Sequence, residues 1–76
     1  MEIIEIFNPS ESGCAYTIIK ISNDDGTEQD CHFLLSELQD VNFKSDDPVF
    51  CAVRKAIFDN GLQTRRDLKT LIGLKF

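Results

Sequence analysis

A chain of 76 residues makes one domain, 1–76, and buries only about 60–65% of the surface that its unfolded form exposes. With 42% apolar and 28% charged residues it lies on the folded side of the disorder boundary, with a small core and a stability on the order of 5 kcal/mol. The formal charge of −5 conceals a segregation: residues 1–47 hold eleven acids and two bases, net −9, and residues 48–76 hold six bases and two acids, net +4, so the two parts offer opposite fields to partners.

Uninterrupted apolar runs such as Phe33-Leu34-Leu35 are too short to cross a bilayer, so no membrane association is expected. The acidic start Met1-Glu2 lacks the basic region of a signal peptide, which leads to the expectation of a cytoplasmic protein. Cys14, Cys31 and Cys51 are odd in number and widely spaced, unlike the dense, even framework of a secreted disulfide scaffold, and are read as free thiols.

In chain order, residues 2–7 are β-branched and aromatic and stop at the turn residues 8–13, which predicts a first strand and a loop. Residues 14–22 and 27–35 form two further β-like runs around Asn23-Asp24-Asp25-Gly26-Thr27, a hairpin signal. Asn-x-Asp-Gly suits a type I turn followed by a left-handed glycine, which pairs Asn23 with Thr27. Residues whose numbers sum to 50 then face each other. Ala15, Thr17, Ile19 and Ile21 lie against Leu35, Phe33, Cys31 and Gln29 on the core face, with Tyr16, Ile18 and Lys20 against Leu34, His32 and Asp30 on the other. Lys20 opposite Asp30 is an opposite-charge cross-strand pair that supports this register.

Ser36 is a candidate cap for a helical turn over 36–40. Asp46 or Asp47 before Pro48, and Gly61 with Leu62 beyond, bracket a helix over 48–60, whose Val49, Phe50, Val53, Ala56 and Ile57 make a core-facing stripe. A last helix over 65–72 opens with Thr64-Arg65-Arg66-Asp67, a capping-box variant, places Leu68, Leu71 and Ile72 on one side, and stops at Gly73. The expected fold is α+β: a three-stranded antiparallel sheet followed by two or three short helices packed on one face.

No catalytic fingerprint, metal knuckle or phosphate loop is present, and neither an enzyme nor a cofactor is expected. A zinc set of Cys14, Cys31, His32 and Cys51 lacks a C-x-x-C pair, and adjacent strand residues Cys31 and His32 point to opposite faces. The outer sheet face is the leading candidate site. Tyr16, Ile18, His32 and Leu34 lie side by side there beside Glu28 and Asp30, the composition of a protein-binding patch. An alternative protein contact is the far side of helix 48–60, where Cys51 and Phe58 stand opposite the core stripe. Cys51 also sits near a helix start with Arg54 and Lys55 following, a setting that favours thiolate.

Arg54, Lys55, Arg65, Arg66 and Lys69 form a basic cluster, and the helix pair with its glycine turn resembles a helix-turn-helix. In that family a β-branched residue commonly follows the turn glycine by six positions, where this chain has Asp67. The expected function is a small acidic protein-binding module with a basic partner surface, acting as an inhibitor or modulator of a partner protein or nucleoprotein complex. The alternative is nucleic-acid binding through the basic helix pair. In outline alone, without a shared motif, the layout resembles phage-encoded inhibitors of bacterial machinery. The sequence does not fix an oligomeric state.

Overall fold

The computed structural model of the chain describes residues 1–62 and 67–76 in full, and of Arg65 and Arg66 the backbone alone. Its elements are β1 (Glu2–Phe7), α1 (Pro9–Ser12), β2 (Thr17–Ser22), β3 (Glu28–Phe33), α2 (Leu35–Gln39), α3 (Pro48–Asn60) and α4 (Arg65–Leu68), which runs on into a 3₁₀ turn, Lys69–Leu71. The three strands form an antiparallel sheet in the order β1-β2-β3, so the α+β class holds.

The hairpin closes as its turn chemistry dictates. Asn23 N–H donates to the Thr27 carbonyl at 2.7 Å, Gly26 N–H donates to the Asn23 carbonyl at 3.1 Å, and Gly26 has φ 88. Thr17, Ile18, Ile19 and Lys20 stand opposite Phe33, His32, Cys31 and Asp30, the register expected from the turn. Ile3, Ile6, Ile19, Ile21 and Phe33 of the sheet's inner face are buried with Leu38 of α2, the α3 stripe Val49, Phe50, Val53, Ala56 and Ile57, and Leu68 and Leu71 of the last helical segment. Phe33 and Phe50 meet edge to face, centroids 5.4 Å apart, an arrangement that aromatic quadrupoles favour.

Both ends of α3 are held by its flanking residues. The Asp47 carboxylate accepts from Val49 N at 2.9 Å and Phe50 N at 3.5 Å, while Gly61 takes the left-handed conformation and Leu62 N–H reaches back to the Ile57 carbonyl at 3.0 Å.

Several boundaries differ from the expected ones. Residues 14–16 are not strand, and Ala15 is exposed rather than core. Pro9 starts α1 instead of a loop, with Gly13 at φ 75 ending it. The Ser12 hydroxyl then donates to the Tyr16 carbonyl at 3.1 Å, engaging a backbone group that a strand would use. β3 ends at Phe33 because the Leu34 carbonyl accepts from Glu37 and Leu38 N–H, both at 3.1 Å. Leu34 is therefore the N-cap residue of α2, and Ser36 caps nothing. Ile72 leaves the apolar side of the last helix and is 41% exposed, since the chain tightens into the 3₁₀ turn and is extended by Ile72. The proposed Thr64 cap lies outside the described residues.

Two features have no counterpart in the sequence reading. β1 carries a bulge: Ile3 faces Ile21 and Ile6 faces Ile19, three steps on one strand against two on the other. The C-terminal residues also return to pair with β1 through the bridge Glu2 to Lys75, with Gly73 N–H donating to the Ile3 carbonyl at 2.7 Å and Ile3 N–H donating to that of Leu74 at 2.9 Å.

Candidate protein-binding face

With helices and core on one side, the other side of the sheet is open, and its layout follows from the two registers. At the hairpin end Glu2, Ser22 and Glu28 form a row; next come Glu5, Lys20 and Asp30; then Phe7, Ile18 and His32. Tyr16 follows, 44% exposed, its ring edge-on to the His32 ring at 6.3 Å and 85°. The face is thus divided. Four carboxylates surround one ammonium at the hairpin end, and an aromatic and aliphatic group occupies the other end.

Five of the six residues expected here, Tyr16, Ile18, Glu28, Asp30 and His32, come together. Leu34 is half-buried and lies beyond the β2–β3 ladder, because its carbonyl opens α2. Sequence reasoning missed Glu2, Glu5 and Phe7. The signal was the three-residue spacing of Ile3 and Ile6, which in a strand requires a bulge if both face the core, and that bulge turns Glu5 and Phe7 outward.

The alternative contact on α3 is less concentrated. Phe58 is 47% exposed beside a hollow of about 270 Å³ lined by Gln39, Ile57, Gly61 and Leu62. Cys51 is occupied locally, its thiol donating to the Ser45 carbonyl at 3.2 Å, and Lys55 faces Asp59 rather than the thiol. The C-terminal Leu74 and Phe76 line a different hollow, with Ala52, Lys55, Ala56 and Asp59.

The described cations of the basic cluster, Arg54, Lys55 and Lys69, have partners within the chain. Arg54 donates to the Phe43 carbonyl and lies over the Phe50 ring, 5.2 Å from its centroid, fastening the segment before α3 to the core. Lys55 pairs with Asp59 at 2.7 Å, which raises the Lys55 pKa, and Lys69 pairs with Glu11 at 2.7 Å. The Lys69 bond is the main cause holding the Glu11 carboxyl below its ordinary value. The side chains of Arg65 and Arg66 lie outside the described residues.

The thiols differ in environment. Cys14 is exposed, and the Ser12 hydroxyl 3.3 Å away, with the Tyr16 backbone, lowers its pKa. Cys31 sits half-buried against the core, and burial, followed by Asp47 and Asp30, pushes its thiol up. Among the described residues no group of three or more His, Cys, Asp or Glu side chains is placed to hold a metal ion, and no helix is long and apolar enough to cross a membrane. Comparison with protein-family models, with curated proteins and with solved structures gives no match.

Proposed function

We propose that this chain is a non-enzymatic binding module that docks the outer face of its sheet on a basic surface of another protein and so inhibits or modulates that partner. The observation that carries the reading is the composition of the open face: exposed Tyr16 braced by His32, with Ile18 and Phe7 beside them and Glu5, Glu28 and Asp30 at the rim. An aromatic anchor on an apolar base inside a charged margin is the anatomy of an interface centre. The carboxylates speed encounter with a cationic partner, so added salt slows association more than it hastens release. Nucleic-acid binding has weaker support, because Arg54, Lys55 and Lys69 already have partners within the chain.

The test is capture of a partner from cell extract by the tagged wild type, followed by affinity measurement with Tyr16→Ala and Asp30→Lys, both first shown to be folded by circular dichroism. Loss of the anchor is expected to weaken binding by about 2 kcal/mol, roughly thirtyfold. Retention of the partner by both variants, with loss in Phe58→Ala or Cys51→Ser, would move the working surface to the far side of α3.

A further inference from the structure

The sheet has two edges, and they are in different states. At the outer edge of β1, the backbone groups of Met1 and Ile3 are taken up by the C-terminal segment: Phe76 N–H donates to the Met1 carbonyl at 2.9 Å, Gly73 N–H to that of Ile3, and Ile3 N–H to that of Leu74. These bonds also set the alternation across the sheet. Ile3 bonds outward, so Ile3 and Ile21 are a pair without mutual backbone bonds, and Ile21 instead bonds to Gln29. The Asn23 to Thr27 bond at the turn gives the same parity independently. It follows that Glu28, Asp30 and His32 point their N–H and C=O groups away from β2. These three residues are exposed, and among the described residues no other segment bonds to them.

We infer that the free edge of β3 accepts an extended basic segment of the partner as a fourth strand, with lysine or arginine side chains on its outer face beside Glu28 and Asp30. This deepens the proposed function by naming the kind of segment that the acidic face takes. In an antiparallel ladder, residues that exchange backbone bonds lie about 5.5 Å apart and project to the same face. The docked residues opposite Glu28 and Asp30 therefore stand beside those carboxylates, and the one opposite His32 stands at the apolar end with Tyr16. Main-chain bonds supply the attachment and alternate side chains the selectivity, as in strand addition generally. Charge decides among occupants. A second copy of this chain brings a strand carrying the same two carboxylates, and a register centred on Asp30 sets that residue against itself, which is repulsive.

The probe is a capped heptapeptide alternating lysine with valine between terminal threonines. Two controls accompany it: the same sequence N-methylated at every lysine and valine, which keeps the charge but removes the backbone donors of both edges, and the same sequence with glutamate for lysine. Amide hydrogen exchange is followed by NMR on the intact chain. The basic peptide is expected to slow exchange at Glu28, Asp30 and His32 by about tenfold or more at saturation, while the methylated and acidic peptides leave it unchanged. Asp30→Lys should abolish the protection. Equal effects of the plain and methylated peptides, absence of protection, or self-association through this edge would each overturn the inference and leave Glu28 and Asp30 as guards of a bare edge. Loss of partner capture in Tyr16→Ala without edge protection would sink the edge inference alone. Edge protection by the peptide together with unimpaired capture by Tyr16→Ala would sink the face reading alone.

Discussion

Truncating Phe33 to alanine tests the register on which both core and site depend. Phe33 is 8% exposed and stacks edge-on with Phe50, so the substitution removes a buried ring and leaves a cavity between sheet and α3. Such changes cost about 3–5 kcal/mol, against a total of roughly 4–11 kcal/mol for a chain of this length. Ile18, one position out of phase and on the open face between Phe7 and His32, is half-buried, and its truncation should cost only about 1 kcal/mol. With a urea dependence of roughly 1 kcal/mol per molar for so small a protein, Phe33→Ala should lower the unfolding midpoint by about 3–5 M or leave the chain unfolded without denaturant. Ile18→Ala should move it by about 1 M. Phe33→Leu keeps much of the volume and should remain folded with a loss of roughly 1–2 kcal/mol, which keeps the comparison measurable. Equal midpoints for Phe33→Leu and wild type, or a larger shift for Ile18→Ala than for Phe33→Ala, would refute the assignment of faces.

Asp47→Ala removes the acceptor for Val49 and Phe50 N–H and should cost about 1 kcal/mol in thermal or urea unfolding, whereas Asp46→Ala should be near neutral. The Glu11 carboxyl, held below its ordinary 4.5 chiefly by Lys69, stabilises the fold above that pH, and the contribution is lost as the pH falls through the depressed folded value. The small difference in melting temperature between wild type and Lys69→Met should therefore be present at neutral pH, close in acid and shrink in high salt; a gap that persists at about pH 2 would contradict the pairing. In alkylation followed by peptide mass spectrometry, exposed Cys14 with its lowered thiol should react before half-buried Cys31 with its raised one. Faster labelling of Cys31 would show that the environment of that strand is wrong.

The hairpin and α3 were legible because each carries its own stop signals. Asn23 to Thr27 sets the loop length and hence the parity of every pair up to Thr17 and Phe33, and Asp47-Pro48 with Gly61-Leu62 brackets the helix. α1 was not legible, because Asn8, Pro9 and Ser10 serve equally well in a loop and at a helix start. The C-terminal return was invisible for a different reason. Its attachment to β1 is made by backbone groups, Gly73 to Ile3 and Phe76 to Met1, and main-chain bonds leave no side-chain pattern to read. The partners of two cations in the basic cluster were not legible either, one being local, Asp59 for Lys55, and the other distant in sequence, Glu11 for Lys69.

The bulge in β1 joins the core to the candidate site. Without it, strict alternation would let β1 direct Ile3 or Ile6 inward but not both, and the odd isoleucine would replace a polar neighbour on the open face. With one extra residue, Ile3 and Ile6 both pack against β2 partners in the core, and Glu5 falls opposite Lys20 while Phe7 falls opposite Ile18. A single local irregularity therefore completes the buried cluster, extends the acidic half of the outer face from β3 across to β1, and adds Phe7 to the apolar half. Because Glu5 and Asp30 flank Lys20 from opposite strands, the ammonium is offset by two carboxylates and the net field of that half stays negative. The same pairing that gives the fold its inner surface thus sets the charge and the aromatic content of the surface on which a basic partner is proposed to dock.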